Sequence, residues 1–247
     1  MYYVEFLRAR KVIYWTAGWL ALAFALALWA RLESGPGHHP HTPLPIEAFM
    51  GGGALVASII ATILGCALSH ENNGHLALAW TKPASRVQLA VQMSLVDIGA
   101  IYVAFALGLV FGFGLIEIFG FGGYVVTDSQ TLDFFLRSLL SPLAWYGLTR
   151  AATASMRGRA GAVAATLWIV GSVVVGLDQS HLLSGIFGFI VSALDKINPM
   201  YYFQLTYNDQ GQNKTMVQSM VLGLSGLVAL AVVGYAAALA QWRRLEA

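Results

Sequence analysis

Val12-Ile13-Tyr14-Trp15-Thr16-Ala17-Gly18-Trp19-Leu20-Ala21-Leu22-Ala23-Phe24-Ala25-Leu26-Ala27-Leu28-Trp29-Ala30 runs for nineteen residues without a charge. As an α-helix it is about 28 Å long, close to the thickness of a bilayer's hydrocarbon core. A soluble domain would have to wrap such a helix on every side, and the rest of the chain has no polar shell for the task. Of 247 residues, 57% are apolar and only 11% are Asp, Glu, Lys or Arg, whereas an average soluble domain is about 25% charged. Mean hydropathy is +0.66. The composition excludes an ordinary water-soluble enzyme and a disordered chain, and reads as an all-α polytopic membrane protein with one transmembrane domain over residues 1–247. The net charge of +2 is too small and too scattered for a nucleic-acid footprint. The single cysteine, Cys66, excludes an intramolecular disulfide and a cysteine-based zinc site. Lying in an apolar run, it reads as a small packing residue.

Five further stretches resemble the first. With it, six spans are expected at about 12–30, 51–69, 89–113, 134–152, 160–177 and 216–241. The third is interrupted only by Asp97. The fourth is the weakest, because Pro142 lies inside it and Arg137 and Arg150 lie near its ends. Those arginines are expected to snorkel to opposite headgroup layers. Without the fourth span the basic N-terminal and C-terminal flanks would face opposite sides. Ten basic residues (Arg8, Arg10, Lys11, Lys82, Arg86, Arg150, Arg157, Arg159, Arg243 and Arg244) fall on one side against Arg31, Arg137, Lys196 and Lys214 on the other. This bias places both termini in the cytoplasm. The small-x-small triplet Ala25-Leu26-Ala27 lies within the apolar run and not after it, so an uncleaved helix is expected rather than a signal peptide. Ahead of the first span, Tyr3, Phe6 and Leu7 share a helical face beside Arg8, Arg10 and Lys11. That segment reads as a short interfacial helix or as a basic flank that only sets topology.

Three connecting segments carry information. The outer loop 32–50 holds His38, His39 and His41 beside prolines, a poor preformed metal site without a carboxylate at fixed spacing. The outer segment 181–203 contains an apolar run too short to span, which suits a re-entrant or interfacial helix, and ends in Asn198-Pro199-Met200-Tyr201-Tyr202-Phe203. The cytoplasmic loop 70–86 reads His70-Glu71-Asn72-Asn73-Gly74-His75-Leu76-Ala77-Leu78-Ala79-Trp80-Thr81-Lys82-Pro83-Ala84-Ser85-Arg86. A plain connector has no need of Leu76, Leu78 and Trp80. Apolar side chains on a polar loop suggest docking onto the membrane surface or into a partner's cleft.

No GxxxxGK[ST] phosphate loop, HExxH helix or GxSxG elbow occurs, so no catalytic residue is assigned. Among intramembrane charges only Asp97 qualifies as a transport residue, and pairing with a nearby Lys or Arg is the favoured reading. Gly108 and Gly112 form a GxxxG on the third span, where two helices can approach closely. Tyr102, Phe105, Trp145, Tyr146 and Trp168 are candidates for an apolar pathway, with packing the favoured reading of each.

Taken together, the six-span layout, the loop from Glu71 and Gly74 to Pro83-Ala84-Ser85-Arg86, and the Asn198-Pro199 aromatic stretch resemble the permease subunits of ABC-2 type transporters. The N-terminal interfacial helix is similar to that family's connecting helix. The resemblance implies an export permease in the cytoplasmic (inner) membrane of a bacterium. It also implies a second copy or homologue, and two cytoplasmic P-loop ATPase subunits that bind the ATP and Mg while this chain binds no cofactor. The loop would be the coupling helix. Glu71 would cap its start or pair with a basic ATPase residue, and Asn73 and Gly74 belong to that start. Leu76, Leu78 and Trp80 would be its anchors, and Lys82, Pro83 and Arg86 would form the exit into the third span. The chain departs from some relatives in having no large extracellular domain and no fused ATPase domain. A gradient-driven transporter using Asp97 and a non-transporting scaffold are the alternatives.

Overall fold

The computed structural model describes residues 2–34, 44–67, 86–127, 130–156, 159–180, 182–203, 205–207, 213–215 and 219–244. In chain order these form α1 (Tyr2–Ser34), β1 (Leu44–Pro45), α2 (Ile46–Gly65), α3 (Arg86–Phe119), β2 (Val125–Val126), α4 (Thr131–Thr153), α5 (Ala160–Ser180), α6 (Gly185–Ile197), β3 (Leu205–Tyr207), β4 (Asn213–Thr215) and α7 (Met220–Arg244). Short 3-10 turns occupy Gly122–Tyr124 and Pro199–Tyr202. The chain is an all-α protein; among the described residues its strands are confined to a two-residue parallel pair, β1 with β2, and a three-residue hairpin, β3 with β4.

Among the described residues, four helices are long and apolar enough to cross a membrane, over Phe6–Glu33, Val87–Phe119, Ala160–Ser180 and Met220–Arg244. The apolar part of α2, Phe49–Gly65, is shorter. The outward faces of the long helices are apolar, with Trp15, Trp19, Val110, Ile169, Val221 and Val233 all exposed. Ser138, Ser141, Thr149 and Thr153 of α4 are buried instead. This inside-out arrangement suits a lipid environment, where polar groups must be satisfied within the protein.

No break separates the first eleven residues from the rest of α1, which is continuous from Tyr2 to Ser34. The expected interfacial helix is therefore the first three turns of one long helix and not a separate element. Its sequence has no proline and only Gly18 to interrupt it. At the far end of α3 a left-handed glycine does terminate the helix. Gly120 has φ +69°, its N–H donates to Glu117 O (3.1 Å), and Phe121 N–H donates to Ile116 O (2.9 Å). This paired closure is the one a C-terminal glycine permits.

Hydrogen bonds sort the helix ends into two sets. At one end the start of α1 meets α3, since Arg8 Nη2 donates to Asp97 Oδ1 at 2.6 Å. There too the end of α4 meets the end of α2 (Thr153 Oγ1 to Gly65 O, 3.4 Å) and the end of α7 meets the end of α4 (Gln241 Nε2 to Ala151 O, 2.9 Å). Cys66 Sγ lies 3.7 Å from Ala160 O at the start of α5. At the opposite end Arg31 Nε donates to Ile118 O (3.3 Å), Thr131 Oγ1 to Glu47 Oε1 (2.5 Å), and Arg137 to Tyr202 O (3.0 Å). The long helices α1 to α5 and α7 thus run alternately up and down.

Close packing uses glycine at two helix crossings. A Cβ on Gly108 would come within 2.8 Å of Gly53 Cα, so the GxxxG face of α3 is spent on α2 within the chain. Gly147 of α4 and Gly234 of α7 face each other in the same way, with Ala231 O 2.6 Å from a Gly147 Cβ and Gly147 C 2.6 Å from a Gly234 Cβ. α4 is the hub of the bundle, packed chiefly on α7 and α2.

Candidate functional site

The loop singled out by sequence lies outside the described residues, namely Glu71, Asn73, Gly74, Leu76, Leu78, Trp80, Lys82 and Pro83; Arg86 opens α3. Its two flanks are described, and they converge. Ala67, just beyond α2, packs with Leu89, Ala90 and Met93 of α3 and with Trp242 of α7 in one buried apolar cluster.

One to two turns deeper is a buried polar cluster built by four helices. Ala90, Ser94 and Asp97 recur every three to four residues on α3, and Tyr146 and Arg150 are four apart on α4, so each set shares one helical face. Asp97 is fully buried. Its Oδ1 accepts from Arg8 at 2.6 Å and its Oδ2 from the Tyr146 hydroxyl at 2.8 Å, with Arg150 Nη1 at 4.0 Å. Arg150 donates to Ser94 Oγ (2.6 Å), to Ala90 O (3.0 Å) and to the Tyr146 hydroxyl. Tyr235 of α7 shares a hydrogen bond with Ser94 Oγ (2.9 Å), and the Arg150 guanidinium lies over the rings of Tyr146 and Tyr235. One carboxylate thus faces two guanidiniums. Both its oxygens accept hydrogen bonds, so the cluster ties α1, α3, α4 and α7 together.

Arg150 and Arg137 correct an expectation. Neither snorkels, because they are 1% and 0% exposed. α4 is enclosed by neighbours, so the headgroup layers are out of reach of its arginines. Arg137 turns back on its own helix to Asp133 (2.8 and 2.6 Å) and caps the carbonyls of Tyr202 and Ser219 (3.0 and 3.4 Å). Glu47, at the start of α2, is also buried and accepts from Thr131.

The pathway aromatics are packing groups in this chain. Trp145 and Trp168 stack with centroids 4.3 Å apart and planes 5° apart, and the enclosed space beside them is only about 50 Å³. Trp168 donates to Thr62 Oγ1 (3.0 Å), Phe105 lies against Phe135, Tyr146 serves Asp97, and Tyr102 approaches Leu139 O (3.5 Å). Larger apolar grooves, of about 460 Å³ between α1 and α2 and about 520 Å³ between α2 and α5, open sideways through the bundle wall. Among the described residues no group of three or more His, Cys, Asp or Glu is placed to hold a metal, and His38, His39 and His41 lie outside them.

The signal for the cluster was present in the sequence as polar residues at helical spacing, Ser94 with Asp97 and Tyr146 with Arg150. Sequence reasoning found Asp97 and missed Ser94, Tyr235 and the role of Arg8. Their helices are far apart in the chain, and no local pattern says which faces meet. Asn198 was read only as part of a motif. Its side chain accepts from Met200 N–H (3.1 Å) and donates to Gly171 O (3.0 Å), fastening the Pro199–Tyr202 turn to α5. Comparison with protein-family models, curated proteins and solved structures gives no match, so no relative assigns a role to these residues.

Proposed function

We propose that this chain is the permease subunit of an ATP-driven exporter of the ABC-2 type. In this reading six helices (α1 to α5 and α7) cross the cytoplasmic membrane, both termini are cytoplasmic, and α6 lies in or re-enters the outer layer. Two permease copies, or this chain and a homologue, work with two P-loop ATPase subunits that bind ATP and Mg. This chain has no ATPase site of its own.

The observation that carries the reading is the convergence at the Arg8 end of the bundle. The described flanks of loop 70–86 meet where Ala67, Leu89 and Trp242 pack together, and the Asp97 cluster begins within two turns of that point. A push on the loop is therefore delivered to α3 and passed through Asp97 to α1 and α4, and through Ser94 to α7. The alternating helix directions support six crossings, and most basic residues gather at the loop's end, as cytoplasmic flanks do. The sideways grooves beside α2 support completion of a pathway by a second copy.

The test is affinity capture of the tagged chain from its native membrane, with identification of bound proteins and an ATPase assay. A stoichiometric P-loop ATPase is expected. Trp80→Ala, as loss of a buried aromatic anchor worth about 2 kcal/mol, is expected to weaken its retention about thirtyfold. Glu71→Ala is expected to uncouple hydrolysis from transport while the chain still folds. Normal coupled transport in both variants would sink the assignment, and a folded chain recovered without any ATPase would move it to the scaffold or gradient-driven class.

A further inference from the structure

Asp195 sits in the last turn of α6, at the end of the bundle away from Arg8. Its side chain is fully buried, while Ile186, Phe187 and Phe189 on the same helix are more than 70% exposed. Neither carboxylate oxygen reaches solvent, and neither has a hydrogen-bond partner among the described residues. A buried acid so short of donors is costly as an anion and cheaper as the neutral acid.

The groups around it do not repair this. From α5 comes a second acid, Asp178. On α6 itself Lys196 is exposed, and its backbone carbonyl accepts the Tyr202 hydroxyl at 2.9 Å. The Pro199–Tyr202 turn contributes Tyr201 and Tyr202, and the Asn198 side chain, which accepts from Met200 N–H and donates one N–H to Gly171 O, has a single amide hydrogen left to offer. Behind the turn the cation of α4, Arg137, is already engaged by Asp133. His181, between α5 and α6, lies outside the described residues. Burial first, then the Asp178 charge, push the Asp195 carboxyl up to about 6, with only the Asn198 amide opposing.

We propose that Asp195 is a proton-binding latch: the neutral acid lets the end of α6 dock against α5 and the Asn198 turn, and its ionisation beside Asp178 releases the helix. The ligand is a proton rather than a metal ion. Two carboxylates are too few for a metal cage, and Asn198 Oδ1 already accepts a backbone N–H. The lever is short, because α6 packs principally on α5 and the turn that Asp195 adjoins. Once released, the carboxylate meets water and returns to the ordinary 3.8. Docking is therefore strongest below pH about 4. It weakens tenfold per pH unit as pH rises through the window, and reaches a plateau above about 6 after a total loss of roughly a hundredfold.

The inference is independent of the export reading and needs no transported substrate. The full chain in lipid nanodiscs is followed by hydrogen exchange of the 185–197 amides between pH 4 and 8, with rates corrected for intrinsic pH dependence. Protection of α6 is expected to fall roughly a hundredfold across pH 4–6 while α4 and α7 stay unchanged. Asp195→Asn is expected to keep its low-pH protection at pH 7, and Asp178→Asn to move the transition to lower pH. A wild-type profile flat in pH, or an unaltered transition in Asp195→Asn, overturns the proposal. So does a transition that EDTA or millimolar calcium displaces, which would make the ligand a cation. Should Asp195→Asn fail to assemble, an unshifted transition in Asp178→Asn overturns it by itself.

Discussion

Asp97→Asn is expected to destabilise the fold by about 3–5 kcal/mol, the cost of leaving one partner of a buried ion pair without the other. Asparagine keeps the volume and one acceptor. It removes the only carboxylate facing Arg150, which is 1% exposed and cannot retreat to water. Arg8 is less affected, because its side chain is 28% exposed. Cys66 supplies the measurement. It is the single cysteine and it is buried, so a thiol-reactive fluorophore labels it only when the bundle opens. The variant is expected to raise the open fraction roughly a hundred- to several-thousandfold. Adding Arg150→Met removes the stranded cation and is expected to recover most of the loss, since an apolar replacement of a whole buried pair is often neutral. If Asp97→Asn labels no faster than wild type, the cluster does not hold the helices together.

Gly147→Ala is the second large effect. Ala231 O of α7 lies 2.6 Å from where the added Cβ would stand, and a Gly234 Cβ would lie 2.7 Å from Gly147 O. These are backbone atoms and cannot swing aside. The α4–α7 crossing must open by several tenths of an ångström, which disturbs the largest interface in the bundle. A cost of about 1–3 kcal/mol is expected for each alanine. The two should be far from additive, because once either has separated the helices the other fits more easily. Gly18→Ala is the control. Nothing lies within 4 Å of its Cβ, so it is expected to be neutral or to gain up to about 1 kcal/mol from helix propensity. Equal labelling rates for Gly147→Ala and Gly18→Ala would contradict the crossing.

The long apolar helices were legible because their evidence is local. A charge-free run such as Val12 to Ala30 needs no partner to be recognised, and α3, α5 and α7 are apolar enough for the same treatment. α4 shows the limit. Its composition understates it, because Asp133 and Arg137 pair with each other on the helix, Arg137 also caps the Tyr202 and Ser219 carbonyls, and Arg150 is held by Ser94 and Ala90 of α3. Hydropathy cannot know which face meets a partner, so two paired arginines read as two exposed ones. The same reason hid Ser94 and Tyr235, ordinary residues made significant only by each other. Asp97 was readable as costly, and its pairing was anticipated. That its partner would be Arg8, 89 residues away, was not. Asp195 gave no signal, since a lone acid at the end of a short amphipathic helix looks like an exposed one.

The burial of Arg137 and Arg150 also bears on how the protein is made. A nascent helix carrying three charges is poorly accepted by lipid as a single unit. α4 brings along only one of its counter-charges, Asp133. Asp97 and Ser94 have already been synthesised when it emerges, but the Tyr202 and Ser219 carbonyls and the Tyr235 hydroxyl come later, the last of them about 85 residues after Arg150. On the six-crossing reading proposed above, biogenesis should therefore be hierarchical: α1 to α3 enter early as a platform, and α4 stays provisional in the insertion machinery until α7 closes over it. Truncation before residue 219 should leave a chain that inserts its first three helices and is then recognised as unfinished by membrane quality control.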